Sequence, residues 1–119
     1  MNWEARSNEN LEAARLCRAA KLWAPAITRY YYAVYQKALE VLAAVGPGAP
    51  TTVDGNEYWP HHCVGPALCE VFPDINDVED RYDLLRTRRV RADYSSDPVT
   101  EQTCATSGES AELLLGLMG

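Results

Sequence analysis

Residues 25–45 constrain the fold more than any other stretch, because they carry two neighbouring apolar stripes at helical spacing. The stripes are formed by Ile27, Tyr31, Val34, Ala38, Val41 and Val45 and, beside them, by Tyr32, Tyr35, Leu39 and Leu42. Pro25 falls in the first turn, where a helix tolerates proline, and Gly46-Pro47-Gly48 ends the segment. A helix that is apolar on more than one side is covered by neighbours on each of those sides. The segment is therefore predicted to be the central helix of a helical bundle.

Three further long helices and one short helix are predicted around this central helix. They cover about 8–23, 61–71, from near Pro73 to Tyr94, and from Thr100 to about Leu117. Ser7 or Asn8 is expected to cap the first helix, and Thr100 is expected to cap the last. Gly65-Pro66 is expected to interrupt the short helix, because proline removes a backbone donor.

The chain length of 119 residues indicates a single domain, 1–119, that is large enough for a hydrophobic core. Apolar residues make up 47 % and charged residues 24 %, which excludes an intrinsically disordered chain. Residues 46–60 show no hydrophobic period and are predicted to be a loop, and no strand pattern occurs in the chain. The predicted class is therefore all-α: an up-and-down helical bundle of four long helices plus a short helix.

The formal net charge of −6 argues against a general nucleic-acid coat protein, which needs a basic surface. It leaves room for a local basic site, since contact with a phosphate depends on the nearby field. No apolar run has the length of a membrane span, and the N-terminus lacks the basic-then-apolar pattern of a secretory signal. We therefore expect a cytoplasmic protein that is not associated with a membrane.

The sequence contains four cysteines, at Cys17, Cys63, Cys69 and Cys104. They form no Cys-x-x-Cys pair and are too scattered for a disulfide scaffold, so they are interpreted as free thiols. Zinc binding by Cys63 and Cys69 with His61 or His62 is the alternative, but the spacing matches no structural zinc site. Neither a metal site nor a cofactor is therefore predicted.

The stretch Arg86–Tyr94 concentrates four arginines in an otherwise acidic chain. The apolar positions of the same helix lie on one stripe, formed by Val78, Tyr82, Leu85 and Ala92. Arg89 lies on that stripe too, so its guanidinium is predicted to point inward. A buried guanidinium is costly unless a carboxylate pairs with it or it lines a wet cleft. Arg89 is therefore either a phosphate ligand or an inward arginine paired with a carboxylate such as Asp93.

Two blocks of the sequence together resemble the HEPN domain family (higher eukaryotes and prokaryotes nucleotide-binding). Residues 28–33, Thr-Arg-Tyr-Tyr-Tyr-Ala, followed by Lys37-Ala38-Leu39, resemble the second-helix signature of that family. Residues 89–94, Arg-Val-Arg-Ala-Asp-Tyr, resemble the late-helix signature Arg-x-x-Ala-Asp-Tyr of one prokaryotic branch. A first helix, a short helix that contains His61 and His62, and an acidic final helix follow the family's order, so the resemblance covers nearly the whole chain.

The resemblance implies a dimeric helical bundle that binds RNA or a nucleotide. Many members are metal-independent endoribonucleases, often toxins of toxin–antitoxin or defence systems paired with a nucleotidyltransferase antitoxin. Their motif is an arginine that binds the scissile phosphate and, a few residues later, a histidine that moves a proton. This chain has Tyr94 in place of that histidine, and a phenol with a pKa near ~10 is a weak base at neutral pH. Arg89, Asp93 and Tyr94 are the catalytic candidates, and whether RNA is cleaved stays open.

Four further arginines are candidates for nucleic-acid binding: Arg86, Arg88, Arg91 and Arg29. The first three either extend a nucleic-acid groove beside Arg89 or form a solvated face that pairs with acidic surface. Arg29, on the central helix, either reaches the same cleft or covers an aromatic ring.

Three aromatic side chains each allow two interpretations. Tyr94 is either a catalytic group or a core aromatic at the end of its helix. His61 and His62 are either surface residues at a helix start or, if the short helix folds over Arg89, one of them supplies the missing base.

The alternative function is a non-catalytic dimeric interaction module that keeps the fold without the chemistry.

Overall fold

The computed structural model describes residues 2–119, and these residues form five helices and one two-stranded hairpin. In chain order the elements are α1 (Trp3–Ala19), α2 (Trp23–Val45), β1 (Thr51–Val53), β2 (Asn56–Tyr58), α3 (His61–Val71), α4 (Val78–Tyr94) and α5 (Glu101–Met118). The predicted all-α class is confirmed, with the small hairpin as an addition. No helix within residues 2–119 is long and apolar enough to cross a bilayer.

Helix α2 is the centre of the fold, since it packs against each of the other four helices. Its buried residues include Ile27, Tyr31, Val34 and Leu42, as the two apolar stripes predict. Tyr30 is also fully buried, between those stripes and α5, and thus widens the covered surface beyond the prediction. The stripe ends earlier than predicted, because Val45 at the last turn is exposed.

Helix α1 begins at Trp3, and the prediction that Ser7 or Asn8 caps it is wrong. Asn2 is the N-cap, and its side-chain oxygen accepts a hydrogen bond from the backbone N–H of Ala5 at 3.0 Å. Ser7 lies inside the helix, buried, and its hydroxyl donates to the carbonyl oxygen of Ala33 on α2 at 2.7 Å. This serine therefore joins α1 to the central helix instead of starting α1.

The hairpin corrects the prediction that residues 46–60 contain no strand. β1 and β2 pair antiparallel, with Thr51 opposite Tyr58. The turn between them is formed by Asp54 and Gly55, whose φ angles of 52° and 81° both lie in the left-handed region. Asp-Gly is a preferred pair for such a two-residue turn, because its twist matches that of the strands. All six strand residues are exposed, so the turn and the backbone ladder hold the hairpin rather than the core.

Helix α3 has its predicted bounds, 61–71, but it lacks the predicted interruption, and helix α4 begins later than predicted. α3 continues through Gly65 and Pro66 without a break, where an interruption was expected. Gly65 lies against α4, where an added Cβ would be 3.3 Å from Cδ1 of Tyr82, so the missing side chain allows the two helices to approach closely. α4 begins at Val78, after Asp77 with a φ of 71°, and not near Pro73.

The inner face of α4 is the predicted stripe. Its buried residues are Val78, Tyr82, Leu85 and Arg89. The predicted cap of α5 is also confirmed, because the Thr100 hydroxyl accepts a hydrogen bond from the N–H of Thr103 at 3.1 Å. The side chain of Arg89 on α4 therefore points toward the core, and the residues around it determine its chemical role.

Candidate functional site

Arg89 lies on the inner face of α4, over two tyrosine rings of α2. Its guanidinium carbon is 5.0 Å from the ring centre of Tyr31 and 5.6 Å from that of Tyr32. Both distances are within the range of a cation–π interaction. Only 11 % of the Arg89 side chain is exposed, so the aromatic faces replace much of the water that a guanidinium normally contacts.

Asp93 provides the negative charge beside this arginine, one helical turn later. An oxygen of its carboxylate is 3.6 Å from Nη1 of Arg89, and its other oxygen accepts a hydrogen bond from the Thr28 hydroxyl on α2. The Nε atom of Arg89 is buried and has no hydrogen-bond partner among residues 2–119. The guanidinium is therefore paired with a carboxylate at Nη1, while its Nε–H group has no hydrogen-bond acceptor among residues 2–119.

His61, the first residue of α3, meets the same tyrosines from the other side. Its ring stacks on that of Tyr35, with centres 4.3 Å apart and planes 17° from parallel. Its Nδ1 atom lies 2.5 Å from the hydroxyl oxygen of Tyr31, which in turn lies 2.7 Å from that of Tyr82 on α4. We call Tyr82, Tyr31 and His61 the tyrosine–histidine chain, because hydrogen bonds link the three groups in that order.

The Arg89 cluster is defined here as Arg89, Asp93, Tyr31, Tyr32 and His61. Its members come from α2, α3 and α4, so it forms only when these three helices pack together. Tyr31 and Arg89 are buried, and burial lowers the effective dielectric constant around the Arg89 charge.

The pKa values in the cluster follow from burial and from positive charge. Burial lowers the pKa of His61, and the positive charges of Arg89 and Arg86 lower it further, so the imidazole is neutral at pH 7. Burial raises the pKa of Tyr31 to about 12, against the opposing effects of the Tyr82 hydrogen bond and Arg89. Burial also raises the pKa of Tyr82. The two phenols keep their protons at neutral pH, and the histidine is the group that can accept one.

Two of the three catalytic candidates lie together and the third lies apart. Arg89 and Asp93 form an ion pair, as one of the two sequence interpretations expected. Tyr94 is 80 % exposed, so the expectation that it packs in the core is wrong. Successive helical residues are about 100° apart around the axis, which turns Tyr94 about 140° away from Arg89.

The four arginines predicted to bind nucleic acid do not share one surface. Arg86 is half-buried and close enough to affect the pKa of His61. Arg88 donates through Nη1 to hydroxyls of α5, and Arg91 faces Asp97 at 3.4 Å. Arg29 is exposed and donates to the side chain of α1 residue Asn10 at 3.1 Å.

His61 is the member of the cluster whose position the sequence left undecided. The sequence offered a histidine at a helix start and a tyrosine-rich helix, but no pattern that relates the two. His62, its neighbour, is exposed and belongs to another part of the surface. Within residues 2–119, no group of three or more histidine, cysteine or acidic side chains could hold a metal ion.

In comparisons with protein-family models, with curated proteins and with solved structures, no match to this chain was found.

Proposed function

We propose that this chain is a HEPN-like protein that binds RNA or a nucleotide, with the phosphate at the Arg89 cluster and His61 as the proton-transfer group. The observation that carries the proposal is that Arg89 and His61 contact the same side chain, Tyr31, one over its ring and one at its hydroxyl. Metal-independent cleavage of RNA needs positive charge for the phosphoryl oxygens and a base that is neutral near pH 7. A half-buried neutral imidazole whose pKa two nearby arginines lower supplies both.

The two arginines have different parts in this proposal. Arg89 is largely covered and already paired with Asp93, so it supplies a fixed positive field rather than an open contact. Arg86 is half-buried, is not paired with a carboxylate among residues 2–119, and acts on the same imidazole. Arg86 is therefore the arginine that contacts the phosphate directly, and Arg89 positions the aromatic rings and raises the local potential.

The resemblance alone supports the remaining parts of the proposal. These are a homodimer, a role as the toxin of a toxin–antitoxin or defence system, and a nucleotidyltransferase antitoxin as partner. In a dimer, two Arg89 clusters would face one RNA, and the acidic surface elsewhere would keep the contact local.

The test separates binding from cleavage and uses exposed residues of the same type as controls. Binding is measured by fluorescence anisotropy with a labelled single-stranded RNA, and cleavage by gel electrophoresis of mixed RNA in the presence of a chelator. Arg86→Gln is expected to weaken binding about tenfold, the loss expected for one charged hydrogen bond. His61→Asn is expected to retain binding and to lose cleavage, because amide groups do not titrate near neutrality.

Arg6→Gln and His62→Asn are the matched controls, since both residues are exposed and lie outside the cluster. Cleavage that persists in His61→Asn would remove the catalytic role of His61. Binding without any cleavage by the wild-type protein would leave a nucleotide-binding protein and reject the ribonuclease. Absence of both activities would reject the proposed function as a whole.

A second candidate function is a non-catalytic dimeric interaction module. It is favoured by the outer face of α4, where the large side chains of Tyr94 and Val90 are exposed to solvent. Contact with a second subunit would remove their apolar surface from water. Under this function, changing both residues to serine halves the mass measured by light scattering. RNA binding is absent from the wild-type protein in that case, which distinguishes the two candidates.

A further inference from the structure

A cavity of about 360 Å³ lies on the side of α4 that faces away from the Arg89 cluster. It is bounded by the first turns of α2, by α4, by the connection between α4 and α5, and by the first turn of α5. Its volume falls in the range of ~300–1,000 Å³ that is usual for small-molecule sites. The residues used in the argument below are Ile27, Leu84, Arg88, Arg91, Asp97 and Thr103.

One wall of the cavity is apolar. Ile27 is part of the hydrophobic core and forms the floor, and Leu84 from α4 is exposed although it is a large apolar side chain. Val99 in the connection adds a third, half-buried apolar group. An apolar wall of this kind favours a flat hydrocarbon surface over a hydrated ion, since its burial removes apolar area from water.

The opposite wall carries two positive charges and one negative charge. Arg88 is fixed by hydrogen bonds from Nη1 to the hydroxyls of Thr106 at 2.9 Å and Ser107 at 3.0 Å. Its orientation is therefore set before any ligand arrives, while its other nitrogens donate no hydrogen bond to residues 2–119. This fixed guanidinium in a chain of net charge −6 makes the cavity locally positive.

Arg91 pairs weakly with Asp97, the one carboxylate that lines the cavity within residues 2–119. Its Nη2 is 3.4 Å from the Asp97 carboxylate, and the two side chains are 68 % and 69 % exposed. Exposed ion pairs of this kind contribute little to stability, because water screens both charges. A better anion in the cavity can therefore displace Asp97 and bind Arg91 through two parallel hydrogen bonds.

We propose that this cavity binds a small aromatic anion, in which a flat ring system carries one phosphate or carboxylate group. The ring lies on Ile27 and Leu84, and the acidic group lies between Arg88 and Arg91. The hydroxyl of Thr103, which accepts a hydrogen bond from Thr100, has its own hydrogen left to donate to the anion. The site shares no residue with the Arg89 cluster, so its ligand binding can be tested independently of the proposed function.

The experiment titrates the full chain with 1-naphthyl phosphate and follows binding by the fluorescence of the naphthyl group. Inorganic phosphate and 1-naphthol serve as comparators that carry the charge or the ring alone, and each is expected to bind at least tenfold more weakly. Arg91→Gln is expected to weaken the binding of 1-naphthyl phosphate about tenfold, the loss of one charged hydrogen-bond pair. Arg6→Gln, which changes the net charge equally at an exposed position outside the cavity, is expected to leave binding unchanged.

Asp97→Asn gives the sharper result, because the proposal predicts a gain. Removing the competing carboxylate frees Arg91, so 1-naphthyl phosphate is expected to bind several-fold more tightly. Arg91 and Asp97 are both mostly exposed, so neither change threatens the fold. The proposal is overturned if Asp97→Asn binds no more tightly than wild type, if Arg91→Gln and Arg6→Gln behave alike, or if either comparator matches 1-naphthyl phosphate.

Discussion

Arg89 on α4 makes several kinds of interaction at once. Its guanidinium contacts two aromatic faces and one carboxylate, and its charge adds to the lowering of the His61 pKa that burial causes. An ion pair that is largely removed from water gains little net stability, because desolvation of both charges offsets their attraction. The position is therefore one where stability and function can be separated by substitution.

Replacement of Arg89 by methionine is the first prediction at the residue scale. Methionine has a similar length and packs on aromatic rings, and the Asp93 side chain left behind is 28 % exposed and keeps its hydrogen bond from Thr28, so the free energy of unfolding is expected to stay within about 1 kcal/mol of wild type. Asp93→Ala is the contrasting change, since it leaves the covered guanidinium unpaired and is expected to cost about 1–3 kcal/mol. Urea denaturation followed by circular dichroism measures both. If Arg89→Met proves the more damaging of the two, the charge of Arg89 is itself a structural requirement.

Titration of His61 is the second prediction at this scale. Its pKa in the folded state lies below the unfolded value of about 6.5, so below that pH the unfolded chain binds the proton first. The stabilisation that neutral His61 brings is complete above the unfolded pKa and is lost as the pH falls below it. His61→Asn is therefore expected to lose stability less steeply than wild type between pH 7 and pH 5 in urea titrations. His62→Asn, at an exposed position, serves as the control, and equal slopes for wild type and His61→Asn would contradict the prediction.

The residues also show how far the sequence can locate a site. The inward position of Arg89 and its pairing with Asp93 follow from helical spacing, because both residues lie on one helix. The contact between Tyr31 and His61 does not follow from any spacing. It depends on the path of the chain between α2 and α3, and residues 46–60 have no hydrophobic period that would fix this path.

At the scale of secondary structure, helix α5 depends on a glycine where it crosses α2. A Cβ added at Gly108 would lie 3.0 Å from Cζ of Tyr30, whose ring is fully buried, so that ring would have to shift by a few tenths of an ångström. Gly116, on the same helix, has nothing within 4 Å of the corresponding position. A side chain is therefore overpacked at the first glycine and accommodated at the second.

Alanine substitutions at these two glycines are the prediction for this scale. Gly108→Ala is expected to lower the free energy of unfolding by about 1–3 kcal/mol, because overpacking outweighs the gain in helix propensity. Gly116→Ala is expected to raise it by up to ~1 kcal/mol, since only the propensity changes. Thermal melts followed by circular dichroism give the sign of each effect. A stabilised Gly108→Ala protein would mean that α5 can shift away from Tyr30 at little cost.

The hairpin is the element that the sequence did not predict. Asp54-Gly55 is a strong turn signal, but each strand has only three residues, too few to show alternation. The long helices were predictable because their burial repeats over many turns. Two of their starts shifted where single residues decided them, through the side-chain cap at Asn2 and the left-handed backbone at Asp77.

At the scale of the whole molecule, the proposed function includes a homodimer of the chain. The Arg89 cluster takes its three helices from one chain, so the proposed dimer would place two complete clusters on one RNA. The exposed Val90 and Tyr94 lie on the outer face of α4, where a second copy can cover them.

The mass in solution is the prediction for this scale. Multi-angle light scattering at micromolar concentration is expected to give twice the chain mass of 13.2 kDa. Val90→Glu is expected to give the mass of one chain, because a charge in an apolar interface is costly. Glu109→Gln, at an exposed position on α5, is the control and is expected to keep the dimer mass. A wild-type protein that elutes with the mass of one chain would contradict the dimer.

The exposed hairpin determines how the polypeptide can be divided. A cut between Asp54 and Gly55 leaves α1 and α2 on one fragment and α3, α4 and α5 on the other. Because α2 packs against all three helices of the second fragment, the core is shared between the pieces and is not confined to either. We expect the two fragments, expressed separately, to reassemble by complementation, so a split reporter fused to the new ends would give a direct readout of folding in cells.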